Sequence, residues 1–140
     1  MSEDASYELQ RAIYARLVAD AGLAGLVADR VYDDVPRQDG KITADFPYVS
    51  FGPETEIPEI YDCIDGAEIT MQIDAWSRDP GFREVKRIAA AVEKALHDAP
   101  LTIAENALVY FVKDGRRVMR DPDGLTSHAV ITFRAGVEKR

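Results

Sequence analysis

The chain has 140 residues, the size of a single domain spanning 1–140, and 46% of them are hydrophobic, enough for a core without covalent staples. With 25 acidic against 17 basic residues the net charge is −8, which repels a nucleic-acid backbone rather than gripping it. A lone cysteine, Cys63, excludes an internal disulfide and a cysteine-rich metal site; no apolar run approaches the ~18–20 residues of a membrane span, and the start, M-S-E-D-A-S-Y-E, is too acidic for a signal peptide.

Leu9, Ile13, Leu17 and Ala21 recur every fourth position, so a helix is expected over about Ala5–Ala21. Asp4 or Ser6 is placed to cap its start, and Gly22 to end it in the left-handed conformation. Leu23 to Val27 reads as a short helical turn. A strand near Val31–Val35 follows, stopped by Pro36, and Arg37–Asp45 reads as a loop. Phe46–Pro53 is a second strand, with Pro47 at its start or on an edge because it lacks an N–H for the ladder. Ala67–Trp76 is the cleanest strand. Ile69, Met71, Ile73 and Ala75 face one way, and Glu68, Thr70, Gln72 and Asp74 the other.

A second helix is expected from Asp79 as N-cap and Pro80 at its first turn through His97-Asp98, with Phe82, Val85, Ile88, Ala89, Val92 and Leu96 on its apolar side. Ala107–Met119 is a fourth strand. Leu108–Val112 is apolar throughout, as in a central strand covered on both faces, and Asp114-Gly115 reads as a bulge in preference to a turn. Asp121-Pro122-Asp123-Gly124 is a tight turn. Beyond it Leu125, Ser127, Ala129, Ile131, Phe133 and Ala135 share one strand face. The order α-β-β-β-α-β-β gives an α+β class, with a mainly antiparallel sheet of four to five strands and two helices on one face.

Little in the residues points to catalysis, a cofactor or a metal. His97 suits the last turn of a helix, where a cation complements the dipole. His128 falls on the polar side of a strand, where a cross-strand partner is expected. Cys63 has no sequence neighbour that would activate it, and Trp76 is read as core packing where the second helix begins. The segment from Glu54 to Glu68 interleaves Glu54, Glu56, Glu59, Asp62, Asp65 and Glu68 with Ile57, Ile60, Tyr61 and Ile64. It reads as a long acidic hairpin loop rather than a cation site, and its exposed apolar residues point to a protein partner.

Five collinear segments carry a family resemblance: Y-A-R-L-V-A-D-A-G-L-A-G-L-V-A-D-R-V-Y-D-D-V-P at 14–36, F-P-Y-V-S-F-G at 46–52, I-D-A-W-S-R-D-P-G at 73–81, A-L-H-D-A-P-L at 95–101 and R-D-P-D-G-L-T-S-H-A-V-I-T-F-R-A at 120–135. The chain resembles the tail completion, or tail terminator, proteins of tailed phages and gene transfer agents. The resemblance implies a virion protein assembled in the host cytoplasm, without catalytic residues or cofactor. It implies a homohexameric ring on the end of the tail tube, partnered by the tube protein and a head-tail connector or stopper, with DNA passing through the lumen. In such a ring the 54–65 segment is expected to reach a neighbour or the tube through Glu54, Glu56, Ile57, Glu59, Ile60, Tyr61 and Asp62. Arg116, Arg117 and Arg120 are expected to pair with acids across subunits. The competing readings are another neck protein, a connector or stopper, and a small-molecule-binding α+β domain.

Overall fold

The computed structural model describes residues 3–97 and 100–140, and for residue 61 the backbone alone. Helix α1 (Ala5–Ala19) starts where Asp4 accepts a hydrogen bond from the Tyr7 N–H. It ends at Asp20, two residues short of the expected Gly22. Asp20 also caps the next helix, α2 (Ala21–Val27), by accepting from the Leu23 N–H at 2.8 Å. One shared cap thus splits the run, and Gly22 sits inside α2 instead of terminating α1.

After α2 the strand β1 is only Val31–Tyr32, shorter than expected. The expected 37–45 loop contains a small hairpin, β2 (Arg37–Gln38) and β3 (Lys41–Ile42). Asp39 and Gly40 turn it with φ of 52° and 78°, the positive angles that an Asp-Gly hairpin turn requires. Pro47, after a cis bond, stands just before β4 (Tyr48–Tyr61), which pairs along its length with β5 (Ile64–Ser77). The expected acidic loop is therefore the outer half of a hairpin with 14-residue arms, closed at Asp62 and Cys63. Helix α3 (Arg83–His97) begins later than Asp79, because Gly81 has φ 79° and Phe82 provides the first helical carbonyl, to Lys86 N. The expected continuation to Asp98 lies outside the described residues. Strands β6 (Ala107–Arg120) and β7 (Ser127–Glu138) form the last hairpin, with the expected bulge between Lys113 and Gly115 and a second between Leu108 and Tyr110.

The five-stranded sheet runs β1-β4-β5-β7-β6, antiparallel except for β1 on β4. All three helices pack on one face. There Leu9, Ile13, Leu17, Ile88 and Val92 meet Ile69, Ile73, Ile131 and Phe133 in a single buried cluster. This is the expected class, with α2 as a third helix. Two expectations fail at β6 and β7. β6 is an edge strand rather than a central one, and Val109 is 62% exposed. Leu125, 69% exposed, stays in the turn and does not join the buried row that begins at Ser127.

That turn is held by Asp123. Its carboxylate accepts from the Leu125 and Thr126 N–H groups and from Thr126 Oγ1, and the Thr126 hydroxyl does most to hold its pKa below the ordinary aspartate range. A second carboxylate, Glu8, ties α1 to the segment before β6. It accepts from the N–H groups of Ala104, Glu105 and Asn106 at 3.0, 2.8 and 3.0 Å and from Asn106 Nδ2 at 2.9 Å. The Glu105 N–H does most to lower the Glu8 pKa, burial opposes it, and Asn106 and Ala104 add to the lowering.

A carboxylate with a depressed folded pKa stabilises the fold above its unfolded value, about 4.3 for glutamate, and that stability disappears as pH falls through the folded value. Wild type is therefore expected to melt at a higher temperature than Glu8→Gln near neutral pH, with the gap closing below about pH 4.3. Thermal melts of both proteins from pH 7 to pH 3 check this. A gap unchanged across the range would show that the charge of Glu8 is immaterial.

Candidate assembly interface

The sequence-derived interface residues separate onto opposite edges of the sheet. Among the described residues no strand flanks β4 beyond Ser50, so Glu54–Ile60 is a free edge. A bulge between Phe51 and Glu54 resets the faces. Glu54 and Glu56 lie on the helix side, where Ser6 Oγ donates to Glu54 and Lys139 Nζ stands 3.2 Å from Glu56. Ile57 and Glu59 point to the other face, opposite Glu68 and Gly66 on β5. Near the tip Ile57, Ile60 and Ile64 are 55, 71 and 48% exposed, so the hairpin end carries the apolar surface expected of it. Tyr61 closes the strand, its side chain outside the described atoms, and Asp62 takes φ 49° in the turn beside exposed Cys63.

The three arginines sit on β6, separated from β4 by the two strands β5 and β7. Arg116 is on the helix side, 3.5 Å from Glu93 of α3, and Lys113 reaches the same carboxylate at 3.1 Å. Arg120 covers the Phe82 ring at 4.8 Å. Arg117 is exposed on the opposite face, level with Val130. Within one molecule the acidic and basic sets never meet. Sequence reasoning also missed Asp33 and Asp34, which continue the acidic edge just past β1, and Lys113 with the exposed Val109 and Val112 on the basic edge. The run K-D-G-R-R after Leu108–Val112 was the available signal that β6 meets water.

The face away from the helices is not uniformly polar. Across the strands Tyr48 stands opposite Trp76, and Trp76 opposite His128. The Trp76 and His128 rings stack with centroids 3.7 Å apart, while Phe46 and Tyr32 pack on Tyr48 at 5.0 and 5.8 Å. Trp76 therefore belongs to an aromatic cluster on the far face, not to packing where α3 begins, and its Nε1–H donates to Ser50 Oγ at 2.9 Å. His128 has the expected cross-strand partner. Its Nε2 lies 2.7 Å from Asp74 Oδ1, and its Nδ1 faces Asp121 at 3.9 Å. Both ring nitrogens thus face carboxylates rather than a hydroxyl or thiol, an arrangement that links strands and activates no nucleophile.

One groove lies between α3 and β6, about 560 Å³, floored by Phe111 and Phe133 stacked at 5.0 Å and rimmed by Glu93, His97 and Lys113. It opens along the same basic edge. Among the described residues no helix is long and apolar enough to cross a membrane.

Comparison with known proteins bears on these surfaces. The family model of tail completion protein gp17 matches residues 11–138. A chain in the solved virion of a native gene transfer agent (GTA) particle is 34% identical, with TM-score 0.85, covering 98% of this chain and 99% of that one. The solved gp17 protein of bacteriophage SPP1 is 27% identical, with TM-score 0.61, covering 94% of this chain and 89% of that one. No curated protein matches.

Proposed function

The chain belongs to the tail completion protein gp17 family, and on that premise we propose that it is a tail terminator of a phage or gene-transfer-agent particle. Copies close into a ring on the end of a finished tail tube. The ring stops further addition of tube subunits and presents its outer surface to the head connector or stopper. The observation that carries this reading is the 34% identity over nearly the whole length of a chain in a gene transfer agent virion.

The physical chemistry supports the role. A ring needs two different surfaces on each subunit that fit each other and whose rotation closes. The acidic and basic sheet edges supply two such surfaces. At −8 per copy, a ring of this chain is strongly anionic, so DNA slides through the lumen instead of adhering. The task is mechanical, in keeping with a family of structural tail proteins.

Removing the protein from producing cells tests the reading. Tails without a stop are expected to lose their uniform length and to remain detached from heads, both scored by negative-stain electron microscopy. Normal tail lengths on normally joined particles would overturn the proposal. Density for the protein above the tube and out of contact with it would reassign it as a stopper.

A further inference from the structure

The two free edges of the sheet carry opposite charge. On β4 the unflanked stretch reads E-T-E-I-P-E-I from Glu54 to Ile60, three acids and no cation, and Asp33 and Asp34, the latter 3.9 Å from Arg37, prolong the acidic line. On β6, Lys113 to Arg120 holds four cations and one acid, Asp114, which Arg134 engages at 3.1 Å. Glu93 is the carboxylate shared by Lys113 and Arg116, so positive charge remains in excess along this edge. Val112, 41% exposed, adds apolar surface. A long edge strand of this kind templates another strand unless something covers it.

We propose that these edges are the two halves of one contact, in which the β4 edge of one copy adds to the β6 edge of the next. The proposal rests on the ring reading above and specifies how its subunits join. Directions agree. β4, β5, β7 and β6 alternate, so β4 and β6 run oppositely and meet as an antiparallel pair. Heights agree as well. Rotation about an axis along the strands leaves each residue at its own level, so the pairing inside one chain fixes the register between chains.

Glu54 lies opposite Met71, Met71 opposite Phe133, and Phe133 opposite Lys113. Glu54 of one copy therefore arrives at Lys113 of the next, on the helix side. By the same route Ile57 passes through Glu68 and Gly136 to Tyr110, giving an apolar contact on the other face. Pro53 and Pro58 confine the new ladder to Glu54–Ile57, since neither can donate. At the level of Arg117, traced through Val130 and Asp74 to Ser50, the place beside β4 is taken by Tyr32 of β1, so beyond the ladder the neighbour's β6 passes outside β1, beside Asp33 and Asp34. A tilt of the strands against the axis slides the register in two-residue steps and preserves the faces.

Disulfide trapping tests the contact. In a Cys63→Ser background, Glu54→Cys with Lys113→Cys, or Glu56→Cys with Lys113→Cys for a tilted register, is expressed in producing cells and the purified particles are oxidised. The expected result is a non-reducing gel ladder that ends in one closed multimer for one of the two pairs, because only adjacent strands bring the sulfurs within bonding reach. A charge exchange provides a second readout. Lys113→Glu with Arg117→Glu is expected to remove the protein from particles, and Glu54→Lys with Glu56→Lys in the same chain to restore it. Circular dichroism of each purified variant confirms that it folds. Ring density on particles with no ladder for either pair overturns the edge contact and leaves the ring reading standing. Particles with no multimer of any kind overturn both.

Discussion

Ile73→Ala is expected to lower stability by about 2–5 kcal/mol, the usual range for emptying a buried isoleucine site. Ile73 lies in the middle of β5, a strand paired on both sides, with Phe51 opposite on β4 and Ile131 opposite on β7. It is fully buried beneath the helices. The backbone around it cannot collapse into the space, because both flanking ladders hold it at fixed spacing. Urea unfolding of wild type and variant measures the loss. A change under about 1 kcal/mol would mean that the sheet and helices close over the gap, contrary to the packing described.

Tyr48→Ala is expected to cost a similar amount, about 3–5 kcal/mol by analogy with other large aromatic truncations. Its site is on the face away from the helices, where solvent would be expected to mask the loss. Tyr48 is nevertheless 1% exposed, enclosed by Tyr32, Phe46 and Trp76, and burial is the main cause of its raised pKa. Truncation empties the centre of that group and exposes the Trp76 stack. Tryptophan fluorescence should shift to the red in the folded variant. An unshifted spectrum with unchanged stability would mark the group as an ordinary wetted surface.

How much of this was legible in the sequence depends on burial. β5 could be read directly because one face is covered by helices along its length, so Ile69, Met71, Ile73 and Ala75 alternate with polar residues. The outer half of β4 escaped because it is an edge wetted on both faces, where no burial constraint enforces alternation, and Pro53 and Pro58 look like loop punctuation. β6 misled in the opposite sense. Its all-apolar start mimics a central strand, yet the bulge between Leu108 and Tyr110 turns Val109 out to solvent. At α3, Asp79-Pro80 has cap chemistry, but the φ of Gly81 postpones the helix.

The candidate interface residues themselves were readable as a run of acids and isoleucines and a cluster of arginines. Their separation onto two edges was not, because strand order places β5 and β7 between them and no local pattern encodes that order. The small hairpin at Asp39-Gly40 is a different case. Its dipeptide is a recognised turn signal, passed over because the strands it joins are two residues each.

Asn106 has a consequence of another kind. Its Nδ2 donates to the Glu3 carbonyl and its Oδ1 accepts from the Arg140 N–H, while Lys139 N donates to the Asp65 carbonyl near the β4–β5 tip. Residues 3 and 140 therefore leave the molecule at one pole, the one marked by that tip, and the turn at Asp121–Gly124 occupies the opposite pole. Any fusion or affinity tag appended at either end would load that one pole of the subunit and leave the pole at Asp121–Gly124 bare.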